Sequence, residues 1–156
     1  MSTEHEVLET SIRHAVRDGI ARAIAVIGLA GVALIHLLDA PGKFQETPYL
    51  GWLYIALIGG SVLTAAALIR QSDSRAWVAA AVLPLGAILG YTLTRTTGLP
   101  QATGDIGNWG EPLGMASLFV EGSLVALSAM VLRDRARAEP SQLGARRAPL
   151  QSTARA

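Results

Sequence analysis

Residues 112–132 read PLGMASLFVEGSLVALSAMVL. This run can cross a bilayer as a helix, because a hydrocarbon core of about 30 Å takes about 20 apolar residues. Three further runs have the same character, about Ile20–Leu38, Leu50–Ile69 and Ala76–Thr94, with the fourth taken as Leu113–Leu132. All four are continuous and not alternating, which favours helices over a β-barrel. The connections are short, so neighbouring helices should pack antiparallel. The expected fold is therefore all-α, a four-transmembrane-helix up-down bundle preceded by an N-terminal amphipathic helical extension.

Composition agrees with a membrane protein. Of 156 residues, 51% are hydrophobic and 16% charged, against about 25% charged in soluble domains. The mean hydropathy is +0.38. A net charge of +1 gives no basic field for nucleic acid. Cysteine is absent, which removes disulfides, thiolate metal sites and cysteine nucleophiles.

Basic residues set the expected orientation. With both ends inside, only Lys43 and Arg95 of the 13 Lys and Arg fall outside, a strong positive-inside pattern. The expected location is a bacterial cytoplasmic (inner) membrane, multi-pass, N-in and C-in, the bacterial source resting on the abundance of Ala, Arg and Gly. The acidic leading segment, with Glu4, Glu6, Glu9 and Asp18, argues against a cleaved leader. Residues 1–19 are expected as a cytoplasmic amphipathic helical segment: Thr3 and Glu6 have capping-box spacing, and Leu8, Ile12, Val16 and Gly19 recur at helical spacing. It is either a partner-docking helix or a simple extension of the first span, and its unbroken register favours the extension. Residues 20–132 form the membrane domain. Residues 133–156 carry no apolar period and are expected as a disordered basic cytoplasmic tail.

Glu121 is the only carboxylate deep in any of the four runs. Charge at that depth is costly, so it needs a partner. Helical phase puts Gly114, Ser117, Glu121 and Ser128 on one face, turned toward other helices. Pro84, Ile88, Tyr91 and Arg95 share a stripe of the third span. Gly86 and Gly90 there, like Ala56, Gly60 and Thr64 in the second span, have spacing that permits close helix approach. His36 and Asp39 lie on one side at the end of the first span. Tyr49, Trp52, Tyr54, Tyr91 and Trp109 fit an aromatic belt at the outer boundary, and Trp77 one at the inner. Asp39–Tyr49 and Thr97–Pro112 are expected as outer loops. Gly98 and Pro100 stop the third helix, and Asn108 or Glu111 caps the fourth.

These residues support competing functions. In one, Glu121 pairs with Arg95 or His36 only to fix helix register. In another, His36, Tyr91, Arg95, Glu111 and Glu121 form an outward-facing pocket for a small ligand or cation, with Asp39 and Glu46 at its rim. His36, Glu121, Glu111 and Asp39 offer one imidazole and three carboxylates, a set for zinc, iron or copper(II) that lacks the usual H-x-x-x-H or E-x-x-H spacing. A small transporter is a further alternative, weakened by how few polar groups lie below Glu121. Nothing in the sequence points to haem or a nucleotide, and no G-x-S-x-G elbow points to a hydrolase. The expected partners are the lipid bilayer and a membrane-protein partner or second copy docking on small-residue helix faces.

The order His36-Leu37, Glu46 before Leu50-Gly51, Arg95-Thr96-Thr97-Gly98-Leu99-Pro100, Glu111-Pro112-Leu113-Gly114 and Glu121 resembles a loose group of small, uncharacterised four-helix membrane proteins of actinobacteria. The resemblance covers about Leu34 to Leu127, and the R-T-x-G-L-P stretch is its most specific part. It implies an outer polar site and brings no established activity. The reading taken forward is a non-catalytic membrane protein with an outer polar pocket. The main alternative is an accessory subunit of a larger membrane complex, with the polar residues serving helix packing.

Overall fold

The computed structural model describes residues 2–71 and 73–147, with side chains placed for residues 5–71 and 73–138. Four helices account for nearly all of it: α1 Ser2–Glu46, α2 Pro48–Arg70, α3 Ser74–Arg95 and α4 Pro112–Arg147. Each is long and apolar enough to cross a membrane, which fits a multi-pass integral membrane protein. They form an all-α four-helix bundle in which each helix packs on its chain neighbours and α1 closes the ring against α4.

Burial follows the helical period. On α1 the buried positions are Ala25, Leu29, Val32, His36 and Ala40, and on α4 they are Gly114, Ser117, Glu121, Leu124 and Ser128. Both series step by three and four, the spacing of one helix face. Large apolar side chains such as Ile27, Leu63 and Phe119 point outward, 71%, 72% and 77% exposed, as a lipid-facing surface requires. The apolar core lies toward the end that carries the chain termini. Ala25, Leu29 and Val32 of α1 meet Leu68, Ala76, Trp77, Ala80 and Leu124 there.

Lipid is as apolar as these side chains, so close packing holds such helices together and small residues matter. Gly28 and Gly31 let α1 approach Leu124 and Val120 of α4, whose side chains would lie 3.4 and 3.3 Å from an added Cβ. Gly60 of α2 sits similarly against Leu83 of α3, at 3.1 Å.

Two expected boundaries move. Asp39–Glu46 is not a loop: α1 runs through Pro41 and Gly42 to Glu46, leaving only Thr47 before α2 begins at Pro48. Proline removes a single backbone donor, and the register resumes with Thr47 N–H donating to Lys43 C=O at 2.8 Å. The segment expected as a disordered tail from residue 133 is instead helical as far as Arg147, because α4 does not stop at Leu132. Residues 148–156 lie outside the described residues.

The extension is held laterally. Arg17 pairs with Asp134 at 2.9 Å and Arg135 with Asp18 at 3.1 Å, so α1 and α4 stay side by side beyond the apolar spans. Residues 1–19 were expected either as a separate docking element or as an extension of the first span; from Ser2 they belong to one helix with that span. Such exposed pairs contribute about 0–1 kcal/mol each, so they set alignment more than stability.

At the other end, called here the loop end, Gly98 takes a φ of +76° and its N–H donates to Leu93 C=O at 2.9 Å, closing α3. Residues 96–111 then return to α4. Gly114 of α4 packs tightly on α3, where an added Cβ would collide with the Tyr91 ring. Overpacking of this kind costs about 1–3 kcal/mol, and each kcal/mol moves a melting temperature by about 2–4 °C in a chain of this size. Gly114→Ala should therefore lower the melting temperature by about 4 °C. Gly122→Ala meets no neighbour and should not lower it. Equal melting of the two variants would contradict this packing.

Candidate functional site

A cavity of about 410 Å³ lies inside the loop end, between all four helices and the 96–111 loop. The sequence-derived candidates His36, Tyr91, Arg95, Glu111 and Glu121 all line it, as does Asp39. Glu46 does not; it is exposed and pairs with Lys43 at 2.9 Å. The lining also includes Lys43, Tyr54, Asp105 and Ser117.

The polar groups divide into two layers. The upper layer is an ionic lid. Arg95, 4% exposed, is paired with Asp105 at 2.9 Å and with Glu111. Lys43 meets the same Asp105 carboxylate at 3.3 Å. The Arg95 guanidinium also lies 4.7 Å from the Tyr91 ring centroid. Two cations and two carboxylates thus neutralise one another, which a buried charge requires. The loop is pinned further by Gly107 N–H donating to Arg95 C=O at 2.9 Å, Tyr49 Oη–H to Pro100 C=O at 2.8 Å and Thr47 Oγ1–H to Gln101 C=O at 3.2 Å.

The lower layer centres on Glu121, 1% exposed. Ser117 Oγ–H donates to Glu121 Oε1 at 2.8 Å. His36 Nε2 lies 3.8 Å from the same oxygen. His36 Nδ1 is 2.9 Å from Val32 C=O, and a carbonyl only accepts, so Nδ1 carries a proton. Nε2 of a neutral ring would then aim a lone pair at the carboxylate. At 3.8 Å this is a close electrostatic contact and not a hydrogen bond. Beside them Tyr54 Oη–H donates to Asp39 at 3.0 Å, and the His36 and Tyr54 rings meet edge-on at 4.7 Å.

Two expectations need correction. Arg95 is not the partner of Glu121. Glu111 stands at the start of α4, level with the end of α3, whereas Glu121 lies nine residues into α4, about 14 Å deeper. His36, at the matching depth of α1, is the ionisable neighbour Glu121 does have. The four candidate metal ligands also stay apart: among the described residues no group of three or more His, Asp or Glu could hold a metal ion. Glu111 is paired with Arg95 in the lid, and Asp39 accepts a hydrogen bond from Tyr54 on one oxygen.

Asp105 and Lys43 were missed as site residues. Asp105 sits in a glycine-rich loop with no periodicity to place it, and Lys43 had served only to mark topology. The usable signal was charge balance, since Arg95 inside an apolar helix end demands more than one carboxylate. The α3 pair Gly86 and Gly90 also serves differently from its expected role. Neither has a neighbour that an added Cβ would meet, and both line the cavity.

Comparison with protein-family models, curated proteins and solved structures returned no match.

Burial works against ionised Asp105, but the charges of Lys43 and Arg95 outweigh it and hold the carboxyl below its ordinary 3.8. A depressed carboxylate stabilises the fold above its ordinary value, and that contribution is lost as pH falls through the depressed one. Hydrogen exchange in the 97–110 loop should therefore rise only in strong acid. Asp105→Asn should raise it at neutral pH while Leu29 and Leu124 amides stay protected. Identical loop exchange in variant and parent at neutral pH would rule out the lid.

Proposed function

We propose that this chain is a non-catalytic membrane protein that binds a small cationic ligand, an organic amine, in the loop-end cavity. The observation that carries the proposal is the charge balance of the lining. Lys43 and Arg95 are matched by Asp105 and Glu111, with exposed Glu46 also on Lys43, which leaves Asp39 and Glu121 facing the cavity with His36 as the one further basic group in the lining. A protonated amine supplies the missing charge and the donor hydrogens that Asp39 and Glu121 can accept. A compact metal ion fits less well, because it would need the same carboxylates gathered at bonding distance. Tyr54 also lines the cavity and offers an aromatic ring to a cation. A volume of about 410 Å³ falls within the range of small-molecule sites.

In this reading the loop end faces outward and both chain ends face the cytoplasm, as the positive-inside pattern supports. The residues of the R-T-x-G-L-P and E-P-x-G stretches contribute Arg95, Leu99, Glu111 and Gly114 to the lining, so the resemblance to actinobacterial four-helix proteins supports a site held in common.

One observation favours the accessory-subunit alternative. The N-terminal part of α1 leaves Val7, Leu8, Ile12 and Val16 all exposed. An exposed apolar series on a helix beyond the span is a surface for a partner.

Butylammonium titrated into the protein in lipid nanodiscs, followed by the ring signals of His36, tests the pocket. The shifts should saturate. Asp39→Asn combined with Glu121→Gln should abolish saturation while the melting temperature stays near that of the parent. Glu46→Gln, away from the cavity, should bind normally. Unchanged binding in the double variant, or a collapse of stability without a binding defect, would leave the polar set structural.

A further inference from the structure

The cavity has unlike walls, and this bears on how a ligand reaches it. The α1 and α4 side is polar, with His36, Asp39, Ser117 and Glu121. The α2 and α3 side carries Tyr54, Tyr91, Thr94 and Arg95 but no carboxylate, and is otherwise apolar or bare, with Leu53, Ala56, Val82 and Gly86. Those last four lining residues are also exposed, Leu53 and Val82 each at 58%, against 37% for Leu113 of α4. A residue can line a cavity and be exposed on a helix flank only where the cavity reaches that flank. The bare positions are Gly86 and Gly90, one turn apart on α3, with nothing near enough to fill them. Toward the aqueous end, Lys43, Asp105, Arg95 and Glu111 bridge α1, the loop, α3 and the start of α4. The lid is closed by ion pairs and the flank is open between α2 and α3.

We propose that the site takes an amphiphile from the bilayer, a protonated amine on a long apolar chain. The amine rests on Asp39 and Glu121, and the chain passes out between α2 and α3 beside Gly86 and Gly90 into lipid. This rests on the amine-binding reading above and adds the chain and the route. The charge argument selects the head group, because the acidic surplus lies on the wall opposite the opening. The glycines select the tail, because side chains at those positions would close the gap that a chain must thread. A ligand of four carbons fits within the cavity and does not need the gap.

Dodecylammonium, butylammonium and dodecanoate are compared in nanodiscs by the His36 ring signals, using the parent and a Gly86→Leu, Gly90→Leu double variant. Both amines should saturate the parent and dodecanoate should not. The double variant should weaken dodecylammonium about tenfold more than it weakens butylammonium, by steric closure of the gap. Retained butylammonium saturation also shows that the variant is folded. Equal dodecylammonium binding in parent and variant would overturn the lateral route while leaving the pocket standing. Saturation by dodecanoate would overturn the choice of head group. Failure of butylammonium to bind the parent would remove the pocket reading itself.

Discussion

Arg95 places a guanidinium, which stays charged at any accessible pH, at the closed end of an apolar bundle. At 4% exposure it cannot be neutralised by water, and the loop end is organised around supplying carboxylates to it. Glu111 comes from the first residue before α4 and Asp105 from the middle of the loop. Asp105 then brings in Lys43, whose position depends on α1 continuing past Pro41. Removing one partner of such a buried pair costs about 3–5 kcal/mol, because the other charge is stranded. The loop path, the late end of α1 and the short corner at Thr47 all follow from that requirement. The same ion pairs shut the aqueous end of the cavity and leave Asp39, held by Tyr54, and Glu121, held by Ser117 beside His36, without a lysine or arginine beneath.

The bundle divides its work along its length. Toward the chain termini, Trp77 and Leu68 fill the space between helices and the Gly28 and Gly31 backbone lies tight on α4. Toward the loop end, the helices keep a void and line one side of it with polar groups. Small residues serve both halves with opposite effect. Gly60 admits the Leu83 side chain, whereas Gly86 and Gly90 admit nothing. Spacing by fours reads alike in both cases, and only the neighbour decides whether a glycine makes a contact or an opening.

The spans and their faces were legible because a bilayer forces continuous apolar runs and a helix forces a period. The series Gly114, Ser117, Glu121 and Ser128 could be assigned inward from phase alone, and all are buried. His36 could be brought to Glu121 because both sit at similar depth from the loop end. Pairing at the rim was not legible. Arg95 and Glu121 attract attention as the two charges nearest the apolar runs, yet they differ in depth by about nine residues of helix rise, roughly 14 Å. Asp105 lies in a segment whose path is set by long-range ion pairs, which no local pattern encodes. The helix through Pro41 and the continuation of α4 to Arg147 were missed for a related reason. Turn-forming or polar composition disfavours helix locally, and an established helix with side-chain pairing overrides it.

The most direct test of the account is a distance. Solid-state NMR on the protein in lipid bilayers can measure magnetisation transfer from a ¹⁵N-labelled ammonium ligand to the side-chain carboxyl carbons of Glu121 and Asp39. The account predicts transfer to both, with the nitrogen within about 4 Å of their oxygens. Transfer to neither, with the ammonium at the depth of the lipid head groups, would contradict it.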